Sequence, residues 1–269
     1  MSHEGSDITR NANAFRDKLR RNYLCLGTTI TLADPAVTEA LCGICDFVWI
    51  DMEHTSLSLE SVRAHLMATK GTETASLVRV PWNSPALIKP VLDLGASGVI
   101  VPMVRSAEEA AAAISACRYP PRGIRGFGPL RASNYGRIRA DDFCKESDRT
   151  LMTLIQIEHI EAVKNLDSIL KVPDIHDIVI GPNDLAASMG HLGDTDHPDV
   201  IRAIETIVQK ACAADVNVGL AVGTQVPPIA AWAQKGIRWF SLLNDVMLFL
   251  QTVRDCVDAI RTSIPAESR

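Results

Sequence analysis

Residues 151–190 read LMTLIQIEHIEAVKNLDSILKVPDIHDIVIGPNDLAASMG. An apolar run, Leu151–Ile157, ends on Glu158. A helical spacing of apolar positions follows over Ile160–Leu170. A second apolar run, Asp177–Ile180, ends on Gly181, Pro182 and Asp184. Two such runs joined by a helix form a βαβ unit, because parallel strands need a crossover connection and a helix supplies it. Strands of this kind are covered on both faces and read as near-continuous apolar runs.

The same rhythm extends in both directions. Apolar runs rich in β-branched residues occupy 24–30, 46–51, 76–80 and 98–103 before this unit, and 216–221 and 239–242 after it. Helical patterns lie between them, at 35–41, 59–69, 86–94, 107–117, 198–214, 227–235 and 245–261. Eight strands alternating with helices in about 250 residues suit a closed (β/α)8 TIM barrel of the α/β class. An open doubly wound sheet is the alternative, but no G-x-G-x-x-G follows a strand. The expectation is therefore one barrel domain spanning 1–269, with an N-terminal helical extension over about 1–23.

Composition narrows the partners. Of 269 residues, 27 are Lys or Arg and 32 are Asp or Glu, a formal charge of −5. Nucleic-acid binding normally needs a basic face, so no nucleic-acid partner is expected. No stretch approaches the ~20 apolar residues that span a bilayer, so no membrane partner is expected either. The polar N-terminus has no signal-peptide core. The seven cysteines are scattered and odd in number, which speaks against a disulfide framework and for a reducing cytoplasm. Cys42-Gly43-Ile44-Cys45 has the spacing of a redox pair, but it precedes a strand rather than opening a helix, so packing is the favoured reading.

One segment breaks the alternation. Residues 119–149 are polar, punctuated by Gly and Pro, and carry several arginines. The sequence reads this as a long loop, either a solvated surface or a device for holding an anionic ligand or a neighbouring subunit.

Barrel enzymes place their chemistry at the C-terminal ends of the strands. Reading those ends in turn gives Asp51, Glu53 and His54, then Arg79, then Gln156 and Glu158, then Gly181, Pro182 and Asp184. Glu158 and Asp184 terminate adjacent strands, and a divalent cation would resolve their mutual repulsion. Each has a blander reading as a first-turn helix acid. His54 is a side-chain type suited to proton transfer near neutrality, and Asp51 and Glu53 lie beside it in sequence. Arg79 offers permanent positive charge where an enolate develops, or a buried ion-pair partner. The lysines fall on helical patterns, which favours a metal-dependent route over a Schiff base.

These segments resemble the HpcH/HpaI aldolases, the class II pyruvate aldolases of the phosphoenolpyruvate/pyruvate-type barrels. The carriers are FVWIDMEHTSLS, LVRVPWNSPALIKPVLDLGASGVIVPMV, RYPPRGIRGFGPLRASNYGR, LIQIEHIEAVKNLDSIL and IVIGPNDLAASMG, in the family's order. The resemblance implies that Glu158 and Asp184 hold a divalent metal, Mg²⁺, Mn²⁺ or Co²⁺. It implies that His54 is the base, that Asp93 is its partner acid, and that Asp51 belongs to the same D-x-E-H motif. Arg79 resembles the arginine that stabilises the pyruvate enolate. Gln156 matches a pocket residue, Gly181 and Pro182 the turn that meets the pyruvate carboxylate, and Arg131 a contact from the Arg-rich loop. A homo-oligomer, trimer or hexamer, is implied, with the C-terminal helix packed on a neighbouring subunit.

The implied reaction cleaves a 4-hydroxy-2-oxo acid to pyruvate and an aldehyde. The alternative is decarboxylation of a 2-oxo acid, or another lyase reaction of the oxaloacetate or CoA-thioester type, on the same scaffold. A non-catalytic barrel is the remote alternative, disfavoured because His54, Arg79, Glu158 and Asp184 occur together. Thr55-Ser56, and Thr29 and Thr31 near the first strand's end, depart from the family pattern and bear on the aldehyde side.

Overall fold

The computed structural model describes residues 7–264. The strands are β1 (Cys25–Ile30), β2 (Phe47–Asp51), β3 (Ala75–Arg79), β4 (Gly98–Val101), β5 (Met152–Ile157), β6 (Asp177–Ile180), β7 (Asn217–Val222) and β8 (Trp239–Asn244). They pair in parallel and in chain order, and β8 returns to β1, so the sheet closes into the expected barrel. Helix α1 (Asp7–Arg20) precedes the barrel; the first six residues of the expected extension lie outside the described residues. The helices between strands are α2 (Ala36–Leu41), α3 (Leu59–Ala68), α4 (Pro85–Asp93), α5 (Ala107–Cys117), α6 (Ala140–Thr150), α7 (Ile160–Lys164), α8 (Leu166–Ile169), α9 (Pro182–Ser188), α10 (Pro198–Ala213) and α11 (Val226–Lys235), and α12 (Asp245–Ser263) follows β8.

Strand side chains alternate between two cores, as a period of two requires. Ile50, Val78, Ile155, Ile178 and Phe240 point outward into a core shared with Leu66, Ile88, Ile114 and Ile204 of the helices. Phe47, Trp49, Leu77, Ile100, Leu154 and Trp239 point inward and fill the barrel. Helix α1 seals the N-terminal end: Phe15 and Leu19 join the inner core, and the Phe15 ring lies 5.3 Å from Phe47 and 6.3 Å from Trp239. Trp239 fits because its neighbour on β7 is Gly219, where a Cβ would fall 2.0 Å from the indole.

Two expectations are corrected. Residues 119–149 are not one loop, because α6 occupies their last part. Only Phe143 and Thr150 of α6 are buried, so its apolar spacing is too sparse to read as a helix. Its ends do carry the charges a helix dipole favours, Asp141 and Asp142 first and Arg149 last. The helical pattern over Ile160–Leu170 is two pieces, α7 and α8. Asn165 separates them and donates through Nδ2 to the Arg105 carbonyl at 2.9 Å.

The arginines of the long connection are largely spent inside the chain. Arg118 and Arg125 are buried. Arg125 donates to Asp93 Oδ1 at 2.8 Å and lies over the Tyr119 ring at 4.5 Å. Arg122 pairs with Asp174. Cys42 and Cys45 are free thiols whose pKa burial raises, the opposite of an activated redox pair.

Candidate active site

The inward positions change character along the barrel. Above Trp49 and Leu77 the next inward residues on β2 and β3 are Asp51 and Arg79, and their backbones are register partners. That register places the guanidinium against the carboxylate. Arg79 Nε donates to Asp51 Oδ1 and Nη2 to Oδ2, both at 2.8 Å, a two-point fork. Arg79 Nη1 lies 3.0 Å from Glu53 Oε2, and the guanidinium sits over the Trp49 ring at 5.1 Å. Two of its five N–H groups are hydrogen-bonded to Asp51, whereas Glu53 Oε2 is within ion-pair range of Nη1 but has no hydrogen-bond partner.

β5 supplies Gln156, and Glu158 follows directly at its C-terminal end. Both are buried. Gln156 Nε2 donates to Glu158 Oε2. The Met103 N–H donates to Glu158 Oε1 at 2.7 Å, from a backbone turned to φ 56° just beyond β4. A left-handed methionine is uncommon, and such strain concentrates at functional sites. Gly181, at the end of β6, passes so close that a Cβ there would meet Glu158 Oε2 at 2.7 Å and Gln156 Nε2 at 2.9 Å. Any side chain at this position would displace the carboxylate, so glycine is required for contact rather than for dihedral freedom.

An open cavity of about 620 Å³ is lined by His54, Arg79, Gly181, Pro182 and Asp184 among others, while Gln156 and Glu158 are buried and not part of its lining. Asp51 also reaches it, as do Thr29, Ser241 and Asn244 from the β1 and β8 side. Thr29 and Ser241 pair through their hydroxyls at 3.0 Å. His54 is mostly exposed, with Nε2 3.7 Å from Glu53 Oε2.

The site carries more negative charge than its arginine balances. Burial pushes the Glu158 carboxyl up to about 7, with the Met103 N–H opposing and Glu53 and Asp184 reinforcing the shift. Burial likewise pushes Glu53 up to about 7, opposed by Arg79 and reinforced by Asp51 and Asp184. Gln156 Oε1 is buried without a hydrogen-bond partner. Oxygen donors, clustered acids and an orphaned carbonyl oxygen suit a hard divalent cation, which would return both glutamates to the charged form.

Glu53 belongs to this constellation, although in the sequence it stands out only as a neighbour of His54. The Met103 backbone had no sequence signal at all, because nothing in a methionine foretells positive φ. Two residues assigned by resemblance are not brought to the cavity of their own chain. Asp93 ends α4, and helices of a barrel end beside the N-terminal ends of the strands; its carboxylate is held by Arg125 there. Arg131 is anchored at that same end, donating to the carbonyls of Leu94 and Leu66.

The sequence model of HpcH/HpaI aldolase/citrate lyase proteins matches residues 30–251. The chain belongs to the HpcH/HpaI aldolase/citrate lyase family. It is accordingly a lyase of the aldolase type. Among curated HpcH/HpaI relatives, a 5-keto-4-deoxy-D-glucarate aldolase of Enterobacter sp. (strain 638) is 37% identical over 256 residues, 93% of this chain and 97% of that one. The 5-keto-4-deoxy-D-glucarate aldolase of Escherichia coli O6:H1 is 36% identical over the same shares. A solved HpcH/HpaI family structure from Burkholderia cenocepacia J2315 superposes with a TM-score of 0.87 at 30% identity, covering 93% of this chain and 99% of that one.

Proposed function

We propose that this HpcH/HpaI protein is a divalent-metal-dependent aldolase that reversibly cleaves a 4-hydroxy-2-oxo acid to pyruvate and an aldehyde. The observation that supports the reading is that Asp184, Arg79 and His54 line one cavity, with the buried Glu158 close enough for Asp184 and Arg79 to act on its carboxylate. Glu158 and Asp184 would hold the cation. When bound, it supplies Lewis-acid polarisation of the 2-oxo group.

The chain's own residues do the rest. Asp51 fixes the plane of Arg79, whose free N–H groups meet the oxygen on which enolate charge develops. Gln156 and the Gly181–Pro182 backbone orient the 2-oxo acid. His54, with Glu53 beside it, accepts the proton of the C4 hydroxyl as the C3–C4 bond breaks. The aldehyde leaves, and C3 of the enolate takes a proton to give pyruvate. The polar wall of Thr29, Ser241 and Asn244 suits an aldehyde with hydroxyl or carboxylate groups. The names of the curated relatives support a sugar-acid-derived substrate of this kind.

A homo-oligomer, trimer or hexamer, completes the proposal. Asp245 is the sole buried residue of α12 among the described residues, and Phe249, Val253, Val257 and Ile260 form an exposed apolar row. Neighbouring copies would cover it. Any pairing of Asp93 with His54, or contact of Arg131 with substrate, would have to come from such a second copy. Free cysteines support a reducing cytoplasm, and no helix among the described residues is long and apolar enough to cross a membrane.

Exchange of pyruvate methyl protons into D₂O tests the chemistry. Exchange is expected with Mn²⁺ or Mg²⁺, is abolished by EDTA, and is lost in Glu158→Gln and Asp184→Asn. No exchange together with no cleavage of any 4-hydroxy-2-oxo acid would overturn the assignment.

A further inference from the structure

The side of the cavity formed by the ends of β1 and β8 is not in regular register. Thr28 pairs with Leu242, but Thr29 pairs with Asn244, so one residue is looped out of β8. That residue is Leu243, whose φ of 36° is left-handed backbone that a leucine rarely adopts. A bulge of this kind re-aims the side chain beside it, and bulges gather next to active sites. Here it sets Asn244 opposite Thr29, and both line the cavity together with Thr31.

The hydrogen bonds behind this wall fix its polarity. Asp245 is buried. Its Oδ1 accepts the Thr31 hydroxyl, and also the Val246 N–H at 2.9 Å. Its Oδ2 accepts the N–H groups of Thr31 at 2.9 Å and of Leu32 at 3.0 Å. The Leu32 carbonyl accepts in turn from the buried His65 Nε2 at 3.0 Å, so the turn after β1 is held from both sides. With its proton committed to Asp245, Thr31 Oγ1 has only lone pairs to offer a ligand. Asn244 is the reverse case. Its Oδ1 accepts the Met247 N–H at 2.9 Å as the cap of α12, which leaves Nδ2, unaccepted among the described residues, as a donor. A hydroxyl both donates and accepts, so it satisfies this pair. A carboxylate can meet Asn244 alone, and an alkyl group meets neither.

We propose that Thr31 and Asn244 read a hydroxyl on the aldehyde half of the substrate, and that Asp245 is the positioning residue that makes Thr31 an acceptor. C5 is the first carbon beyond the bond that breaks, so the hydroxyl belongs there. The inference rests on the aldolase reading above and narrows it to 4,5-dihydroxy-2-oxo acids, whose cleavage releases pyruvate and a 2-hydroxyaldehyde.

The test compares cleavage of 4,5-dihydroxy-2-oxopentanoate and 4-hydroxy-2-oxohexanoate, in which a methyl replaces the C5 hydroxyl. Pyruvate release with Mn²⁺ gives kcat/KM for each. Wild type is expected to favour the hydroxylated substrate by about 10²-fold or more, because the analogue leaves the site's polar groups unpaired. Thr31→Val keeps the shape and should cut that ratio at least about tenfold, while Thr31→Ser, which keeps the hydroxyl, should restore it. Asp245→Asn should also lower the ratio, since an amide nitrogen cannot accept the Leu32 N–H and its own protons compete for Thr31 Oγ1. The two Thr31 variants leave the bonds from Asp245 to the backbone in place, so they decide the matter even where Asp245→Asn does not fold. A wild-type ratio near one, or a ratio unchanged in Thr31→Val, would overturn this inference, and wild-type exchange of pyruvate methyl protons would then show the aldolase reading still standing. Neither exchange nor cleavage of either substrate would bring down both.

Discussion

The two ends of the barrel interior use the same inward-pointing strand positions for opposite purposes. At the N-terminal end these positions carry Phe47, Trp239 and Leu77, closed over by Phe15 of α1. At the C-terminal end they carry Asp51, Arg79 and Ser241, which line an open cavity, and the buried Gln156. Burying a large apolar side chain stabilises the fold by roughly 1.5–3 kcal/mol. Burying charge costs free energy unless partners are supplied. The barrel thus gains its stability at one end and holds its chemistry at the other. The Asp51–Arg79 fork satisfies part of the buried charge, while burial holds the Glu53 and Glu158 carboxyls up at about 7, an excess that protonation or a cation would relieve.

Substitutions at the two ends should therefore separate activity from stability. The largest effect is expected for Glu158→Gln, with turnover falling about 10³-fold or more while the fold persists. Removing a carboxylate that burial disfavours should leave the thermal midpoint of the metal-free protein unchanged or higher. Aldol cleavage rates, Mn²⁺ calorimetry and a melting curve check all three. A large loss of stability with normal turnover would erase the contrast between the ends.

Trp239→Ala probes the sealed end. It should cost about 3–5 kcal/mol of stability, by the usual cost of emptying an aromatic core position. Activity per folded molecule should change little. Urea unfolding followed by a rate measurement normalised to folded protein gives both numbers.

His54→Ala sharpens the comparison at the open end. General-base removal should slow cleavage by about 10²-fold or more. The ring is mostly exposed, so the unfolding midpoint should not move. Retained metal affinity would separate this loss from that of Glu158→Gln.

The smallest effect concerns an acid buried at the sealed end. Asp177 opens β6, bonded by Asn217 Nδ2 at 2.9 Å, and burial raises its pKa, with Asn217 and Arg16 opposing the shift. A carboxyl with a raised folded pKa favours the folded state only where it is protonated. Its penalty is absent below the unfolded value near 3.8, grows as pH rises toward the folded value, and is complete above it. Asp177→Asn should therefore be more stable than wild type near neutrality, with the difference fading as pH falls through that window. Denaturant midpoints measured across acidic to neutral pH test the sign.

Much of this was legible in the residues themselves. Each of the eight strands falls within a residue or two of its apolar run, because parallel barrel strands are covered on both faces and leave a dense signal. Helix α6 was not legible, because only two of its residues touch the core. The site was half legible. Asp51, His54, Arg79, Glu158 and Asp184 stand where strands end, and the structure sets all of them at or beside one cavity. Asp93 and Arg131 share the motif-bearing segments but sit at the other end of their chain's barrel, since sequence proximity does not say which end of a helix a residue occupies.

The sequence by itself determined the strand count, the alternation and the strand-end carboxylates, because periodicity and chain order are local properties. Tertiary structure alone decided that Arg79 is shared between Asp51 and Glu53, that a methionine backbone supports Glu158, and that Asp245 ties the end of β1 to the start of α12. Those contacts depend on register, close approach and burial, which exist only once the barrel has closed.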